Sequence, residues 1–390
     1  MALFERSEYM QRVAKTKARM EKAGIEVLLV TSPANMYYLT GYDGWSFYVH
    51  QMVILALDAE EPIWAGRDMD AIGADFTVFL KKENILGYTD GYVASATQHP
   101  MQFMADILKE KGWDKRSLGV EMDAYYFTAR CYEELRNHLP NASFKDADLL
   151  VNWVRMVKSP QELTFMAQAG KIAEKTMQAT IDAIEPGVRQ CDPMATLYDT
   201  QIRGTDEFPG DYTCKPPNAP TGKWAKAPHL AWADDIHRVG EVTNLELGGC
   251  RYRYHAPLSR TVYLGTPPDE MQDTAKVVVE GLNAALDAVK PGVACEDVEA
   301  AWSKVIAKYG IVKDSRIGYP VGIGYPPTWG ELTVSLRPGD KTVIEENMTL
   351  HCIPAIWKDD WSIVISESFR VGKNGAETFA NFPRQLFHKS

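Results

Sequence analysis

No run of about 18 apolar residues occurs anywhere in the chain, which excludes a membrane-crossing helix read from sequence. Cysteine is sparse: six in 390 residues, at Cys131, Cys191, Cys214, Cys250, Cys295 and Cys352, with no C-x-x-C pair. That spacing excludes a zinc ribbon and a dithiol redox motif, and the thiols read as free in a reducing cytosol. Blocks of lysine and arginine are missing too. With a formal charge of −10, the chain has nothing to neutralise phosphates, so a nucleic-acid partner is not expected. A small cationic substrate remains compatible with that charge. The first 24 residues carry early acids and no apolar core, so a signal peptide is not expected and a cytoplasmic location is.

What is present is enough for two domains of an α/β (α+β) protein. Residues 1–155 alternate short apolar strands such as Val27–Val30 and Met52–Leu57 with amphipathic helices such as Glu5–Lys22, Pro100–Lys111 and Ala129–His138. This alternation predicts a mixed α/β unit. The boundary is set by Ser159-Pro160-Gln161-Glu162. Ser159 suits an N-cap, Pro160 the first helical position and Glu162 the first turn, so a long helix to about Ile184 is expected to open residues 156–390.

The second domain repeats itself. Ile184-Glu185-Pro186-Gly187-Val188 and Val289-Lys290-Pro291-Gly292-Val293 stand 105 residues apart, each with a Cys and an Asp close behind. Each reads as a Pro-Gly helix stop followed by an acidic start. Two such helix-stop-helix units predict a pseudo-twofold domain. Between them lies Asn244–Leu264, read as two antiparallel strands joined by a tight turn at Gly248-Gly249, with Glu246 on the first strand and His255 on the second.

These residues carry a resemblance. Glu246, then Pro257-Leu258-Ser259-Arg260-Thr261 eleven residues on, is similar to the Asp-x-Gly and Asp-x-x-Arg-Thr segments of the creatinase and M24 metallopeptidase-like (pita-bread) superfamily. That superfamily binds a divalent metal pair through two Asp, one His and two Glu. The resemblance places Glu246, Pro257, Tyr319, Ile353 and Ser366 at those positions, so four of five have lost the ligand. One carboxylate among Pro, Tyr, Ile and Ser cannot hold a hard divalent pair, which needs several anionic oxygens. A site without metal or other cofactor is therefore expected. Longer segments, including Asn35–Tyr48, Ala227–Leu230, Lys313–Pro320 and Tyr325–Glu331, resemble the ectoine hydrolases of this superfamily across nearly the whole chain.

The resemblance implies hydrolytic opening of a cyclic amidine to an N-acetylated diaminobutyrate. Guanidine hydrolysis of the creatinase kind and a catalytically inactive binding protein are alternatives, and a metal-dependent Xaa-Pro dipeptidase is the least expected. Glu246 would be the catalytic acid-base or nucleophile. Side chains two apart on a strand share a face. This places His255 and His351 beside the vacated positions 257 and 353, and the resemblance adds His229 from a flanking loop. Glu246, His255 and His229 are thus the expected catalytic set. Tyr319, His351 and Glu331 are expected to bind substrate. So are Trp45, Phe47 and Tyr48, an aromatic stretch suited to a flat cation. In creatinase-like homodimers this stretch reaches the neighbouring subunit's site.

Overall fold

The computed structural model describes residues 3–147 and 149–390. The chain divides into two compact units, Met1–Arg155 and Met156–Ser390.

The first unit is built on a six-stranded mixed sheet. Its strands are β1 (Val27–Val30), β2 (Met52–Ala56), β3 (Ile63–Arg67), β4 (Ile85–Tyr88), β5 (Ser117–Val120) and β6 (Ser143–Asp146), in the order β4-β3-β2-β1-β5-β6. Its helices are α1 (Arg6–Ala23), α2 (Pro33–Thr40), α3 (Asp68–Thr77), α4 (Pro100–Glu110), α5 (Ala129–His138) and α6 (Leu150–Val154). Val27, Leu29, Met52 and Ile54 point to one sheet face and pack with Met104 and Leu108 of α4 and Cys131 and Leu135 of α5. Alternate side chains share a face, so the strands supply every second residue to this core. Helix α1 stops where expected: Gly24 takes the left-handed conformation, φ 64°, that a C-terminal cap requires.

The second unit opens with α7 (Pro160–Ala183) and α8 (Cys191–Arg203). Ser159 Oγ accepts the Glu162 N–H, and Glu162 Oε2 accepts the Ser159 N–H, a reciprocal cap that fixes the helix start. The hairpin of β7 (Val242–Arg251) and β8 (Tyr254–Leu264) follows, then α9 (Asp269–Ala288) and α10 (Cys295–Ala307). Both sequence echoes fall in equivalent places, between α7 and α8 and between α9 and α10. Ile184 and Val289 end their helices with extended backbone, and Gly187 and Gly292 supply left-handed turns at φ 84° and 94°. The remaining strands are β9 (Gly318–Tyr325), β10 (Thr328–Gly330), β11 (Thr349–Cys352), β12 (Ala355–Trp357), β13 (Ser362–Val364), β14 (Glu367–Val371), β15 (Ala376–Thr378) and β16 (Phe387–Lys389). A sheet path β15-β14-β11-β9-β8-β16 carries β7 on β8 and β10 on β9.

The hairpin corrects one expectation. Gly248 and Gly249 are not its turn; they lie inside β7. The chain reverses instead at Tyr252 and Arg253, both left-handed, at φ 48° and 66°. Gly249 has another purpose. A Cβ on Gly249 would meet the Ala169 carbonyl oxygen of α7, so only glycine lets the helix backbone approach this strand. Gly249→Ala is expected to lower stability by about 1–3 kcal/mol, the usual cost of overpacking. Backbone cannot turn aside as a side chain can. Thermal unfolding would show it as a lowered Tm, and an unchanged Tm would mean α7 shifts freely.

With the turn at Tyr252-Arg253, Glu246 pairs with Ser259, Gly248 with Pro257 and Cys250 with His255. Leu245 and Leu247 point into the core against Met177 and Ile181 of α7. Asn244 and Glu246 therefore face the opposite side of the sheet, away from the helices.

Candidate active site

Glu246 is held from both sides. Ser259 stands opposite it on β8, and Asn218 bridges to it through backbone hydrogen bonds in both directions, each 2.9 Å. The Asn218 side chain donates to Glu246 Oε2 at 2.5 Å, and Lys215 Nζ reaches the same oxygen at 3.2 Å. Among the described residues Oε1 has no partner, and it belongs to a side chain that lines two cavities of 250 and 330 Å³. The cavities share Glu246, His229, Arg316 and Tyr319 as walls. Together they have the size of a small-molecule site.

The rest of the lining is mixed in charge. Lys215 lies over the Trp329 ring at 4.3 Å, and Arg316 over the Tyr319 ring at 4.8 Å. Glu246 is the one carboxylate lining either cavity among the described residues, beside the cations of Lys215, Lys313 and Arg316. Such a site can take a zwitterion: its cationic part to Glu246, its carboxylate to arginine, which binds carboxylates through a planar fork. His229 sits at φ 63°, and its exposed ring lines both cavities with no hydrogen-bond partner among the described residues.

The other expected residues are not all gathered here. His255 shares the Glu246 face, but four residues beyond Ser259 along β8, a separation on the order of 13 Å at strand rise. Its ring is fully buried. Nε2 accepts the Cys214 N–H at 3.1 Å, and Nδ1 lies 2.7 Å from the Arg253 carbonyl, to which it donates. Both nitrogens are thus committed to backbone, and His255 lines neither cavity. His351 lines neither cavity; it lies behind Tyr319, 3.1 Å from its hydroxyl, and 2.7 Å from Ser366 Oγ. Glu331 lines neither cavity either. It is buried against Lys158 at 2.8 Å, while its neighbours Gly330 and Leu332 line the cavity.

Trp45 and Tyr48 are 54% and 72% exposed on the first unit, with Phe47 edge-on to Trp45 at 4.5 Å. The residues lining the two cavities all come from the second unit.

Sequence reasoning missed Lys215, Asn218, Arg316 and Trp329. A signal existed for the first two in Lys215-Pro216-Pro217-Asn218-Ala219-Pro220: prolines stiffen a segment, and polar residues set between them are held in place.

Burial pushes the His255 pKa down to about 4 and the His351 pKa down to about 3, with Lys215 and Arg260 adding to the latter. Unfolding returns both to their ordinary value of 6.5. The unfolded chain then binds more protons at any pH between the two values, so stability falls as pH falls through that window. From pH 7 to 5 each ring is expected to remove about 2 kcal/mol. Urea unfolding across this range would show the slope, and His255→Gln should remove about half of it. A profile flat from pH 7 to 5 would contradict two neutral buried rings.

The positions where the resemblance expects metal ligands are Glu246, Pro257, Tyr319, Ile353 and Ser366, and the single carboxylate among them already has Lys215 on one oxygen. The donor set does not fit a pair of hard divalent ions. Elsewhere, ligand atoms of His50, His99 and Cys131 lie within 4.8 Å of one another. His99 Nδ1 accepts the Met101 N–H at 3.2 Å, which leaves the neutral ring's proton on Nε2. Neither nitrogen then offers a lone pair to a cation, and the group reads as hydrogen-bonded packing.

A pita-bread unit of two helix-pair halves, with its cavity on the sheet face opposite α7, is the architecture of a known family. The model of metallopeptidase family M24 matches residues 164–373, and that of the creatinase/prolidase N-terminal domain matches residues 12–157. The chain belongs to the M24 family, in its creatinase- and prolidase-like two-domain form. Within it, the chain is 46% identical to the ectoine hydrolase of Halomonas elongata, over 99% of this chain and 98% of that one. It is 45% identical to an uncharacterized hydrolase/peptidase of Sinorhizobium fredii, again over 99% and 98%. Among solved structures, prolidase from Thermococcus sibiricus superposes with a TM-score of 0.83 at 20% identity, covering 98% and 99% of the two chains. That likeness carries the fold.

Proposed function

We propose that this chain hydrolyses ectoine, opening its cyclic amidine to an N-acetylated diaminobutyrate without a metal ion. The observation that carries the reading is the single cavity carboxylate, Glu246, with Oε2 anchored by Asn218 and Lys215 and Oε1 left to the cavity. It is joined by the 46% identity to an ectoine hydrolase. Ectoine is a flat amidinium bearing a carboxylate. Its cation fits beside Glu246 and the Trp329 face, where Lys215 already makes a cation-π contact. Its carboxylate fits Arg316.

In this reading Glu246 Oε1 takes a proton from the water that attacks the amidine carbon. A carbon–oxygen bond forms, the ring carbon–nitrogen bond breaks, and both water protons end on the departing ammonium. His229, the imidazole free at the cavity, relays them. With one carboxylate already paired to lysine, the charge needed for catalysis comes from side chains. The exposed Trp45 and Tyr48 suit contact with a second copy of the chain, and we keep the homodimer as part of this reading.

The test is direct. Chelator-treated protein is incubated with ectoine and followed by proton NMR, with creatine as a parallel substrate. Ring opening at a rate unchanged by chelation or by added Mn²⁺, and no turnover of creatine, is the expected result. No product from ectoine, or activity lost on chelation and restored by Mn²⁺, would overturn it.

A further inference from the structure

Behind the cavity wall lies a chain of hydrogen bonds whose direction can be worked out. It runs from β8 through Ser366 and His351 to Tyr319, which pairs with His351 across β9 and β11. Ser366 is fully buried, so its hydroxyl hydrogen cannot go to water. Its Oγ already accepts the Ser259 N–H at 2.8 Å. Among the described residues the acceptor in reach of that hydrogen is His351 Nε2, at 2.7 Å.

His351 is a neutral ring, its pKa pushed down to about 3 by burial, and so carries one ring proton. With Nε2 accepting, that proton is on Nδ1, and it is donated to Tyr319 Oη at 3.1 Å. The Trp329 Nε1–H donates to the same oxygen, also at 3.1 Å. Both lone pairs of the phenol oxygen are then filled. Its own hydrogen is left over, with no protein acceptor among the described residues, on a side chain that lines both cavities with Glu246. The reverse arrangement, Nε2–H to Ser366 and Tyr319 to Nδ1, would strand the buried serine hydrogen without an acceptor, which is the costlier state.

We propose that Tyr319 presents this hydrogen to the oxygen that forms on the amidine carbon, with Ser366 and His351 as positioning residues that set its direction. The proposal rests on the amidine-opening reading. As water adds, the new carbon–oxygen bond places a partly negative oxygen in the cavity, and the Tyr319 O–H donates a hydrogen bond to it. Tyr319 keeps its proton throughout. Burial and the Glu246 charge push its pKa well above the ordinary phenol value, so it stays a donor across the working range. A donor fixed before the reaction stabilises the transition state without reorganising. The substitution of a metal-ligand position by tyrosine thereby supplies electrophilic assistance in place of an ion.

The experiment has one arm that needs no substrate. In ¹⁵N-histidine-labelled protein, the His351 resonance, assigned by its loss in His351→Asn, is expected to show the proton on Nδ1. Should that variant not fold, the shift caused by Tyr319→Phe assigns it. A proton on Nε2 would overturn the proposal. The second arm is kinetic: Tyr319→Phe is expected to lower kcat for ectoine by about 10²–10³-fold with KM little changed. Ser366→Ala is expected to lower kcat in the wild-type background and to add nothing in the Tyr319→Phe background. Tyr319→Phe within about tenfold of wild type, or independent multiplying effects, would also overturn it. Failure of the wild type itself to open ectoine would instead remove the reading on which the proposal stands, and would be seen before any variant is made.

Discussion

Glu246→Gln is expected to lower kcat for ring opening by about 10²–10⁴-fold, the range of a lost general base, while the protein stays folded. The amide is isosteric with the carboxylate and can still meet Asn218. It cannot take a proton from water, and it cannot offset an amidinium charge. The pair with Lys215 would be lost, but both side chains are partly open to the cavity, and such pairs contribute at most about 1 kcal/mol. The expected signature is therefore a collapse of turnover at nearly unchanged Tm, read by steady-state kinetics beside thermal unfolding. Activity within tenfold of wild type would remove Glu246 from the chemistry, and with it the reading built on its free oxygen.

A second large effect is expected far from chemistry. Lys158 and Glu331 are 1% and 0% exposed and 2.8 Å apart. Replacing Lys158 by Met removes the cation beside the buried Glu331, and breaking a buried ion pair from one side costs about 3–5 kcal/mol. Replacing both by Met should recover most of that, because two well-packed apolar chains need no solvation. Urea unfolding of the two variants gives the comparison. A double variant no more stable than the single one would show that the carboxylate contributes more than charge balance. The same experiment bears on function: Glu331, expected from the sequence to bind substrate, lies in this buried ion pair while its neighbours Trp329 and Gly330 line the cavity.

Much of the frame was legible along the chain. The cap formed by Ser159, Pro160 and Glu162 acts within one helical turn, so a four-residue stretch suffices to place the start of α7. The two Pro-Gly stops likewise announce their helix ends locally, and their repetition announces the symmetry of the second unit. The resemblance sets Pro257, Tyr319, Ile353 and Ser366 where the family has three carboxylates and one histidine, a comparison that concerns which residue occupies a position and needs no geometry.

The histidines show where such reading ends. His255 and His351 were placed by counting two residues back from vacated positions, and each does lie on the expected face. A face is not a site: the hairpin turns at Tyr252-Arg253, and that register puts His255 four residues beyond the partner of Glu246. Gly248-Gly249 invites a turn from sequence because glycine permits one. The backbone of α7, more than 70 residues away in the chain, requires Gly249 for close approach, and nothing local distinguishes the two uses.

The sequence by itself determined the two-part organisation of helices and strands and the pseudo-repeat, because caps, periodicity and residue identity act over a few neighbours. Only the tertiary structure decided which polar groups surround Glu246. Lys215, Asn218, His229 and Arg316 arrive there on loops, and His351 lies between Tyr319 and Ser366. Those relations depend on strand register and on hydrogen bonds between residues distant in sequence, which are set when the chain packs.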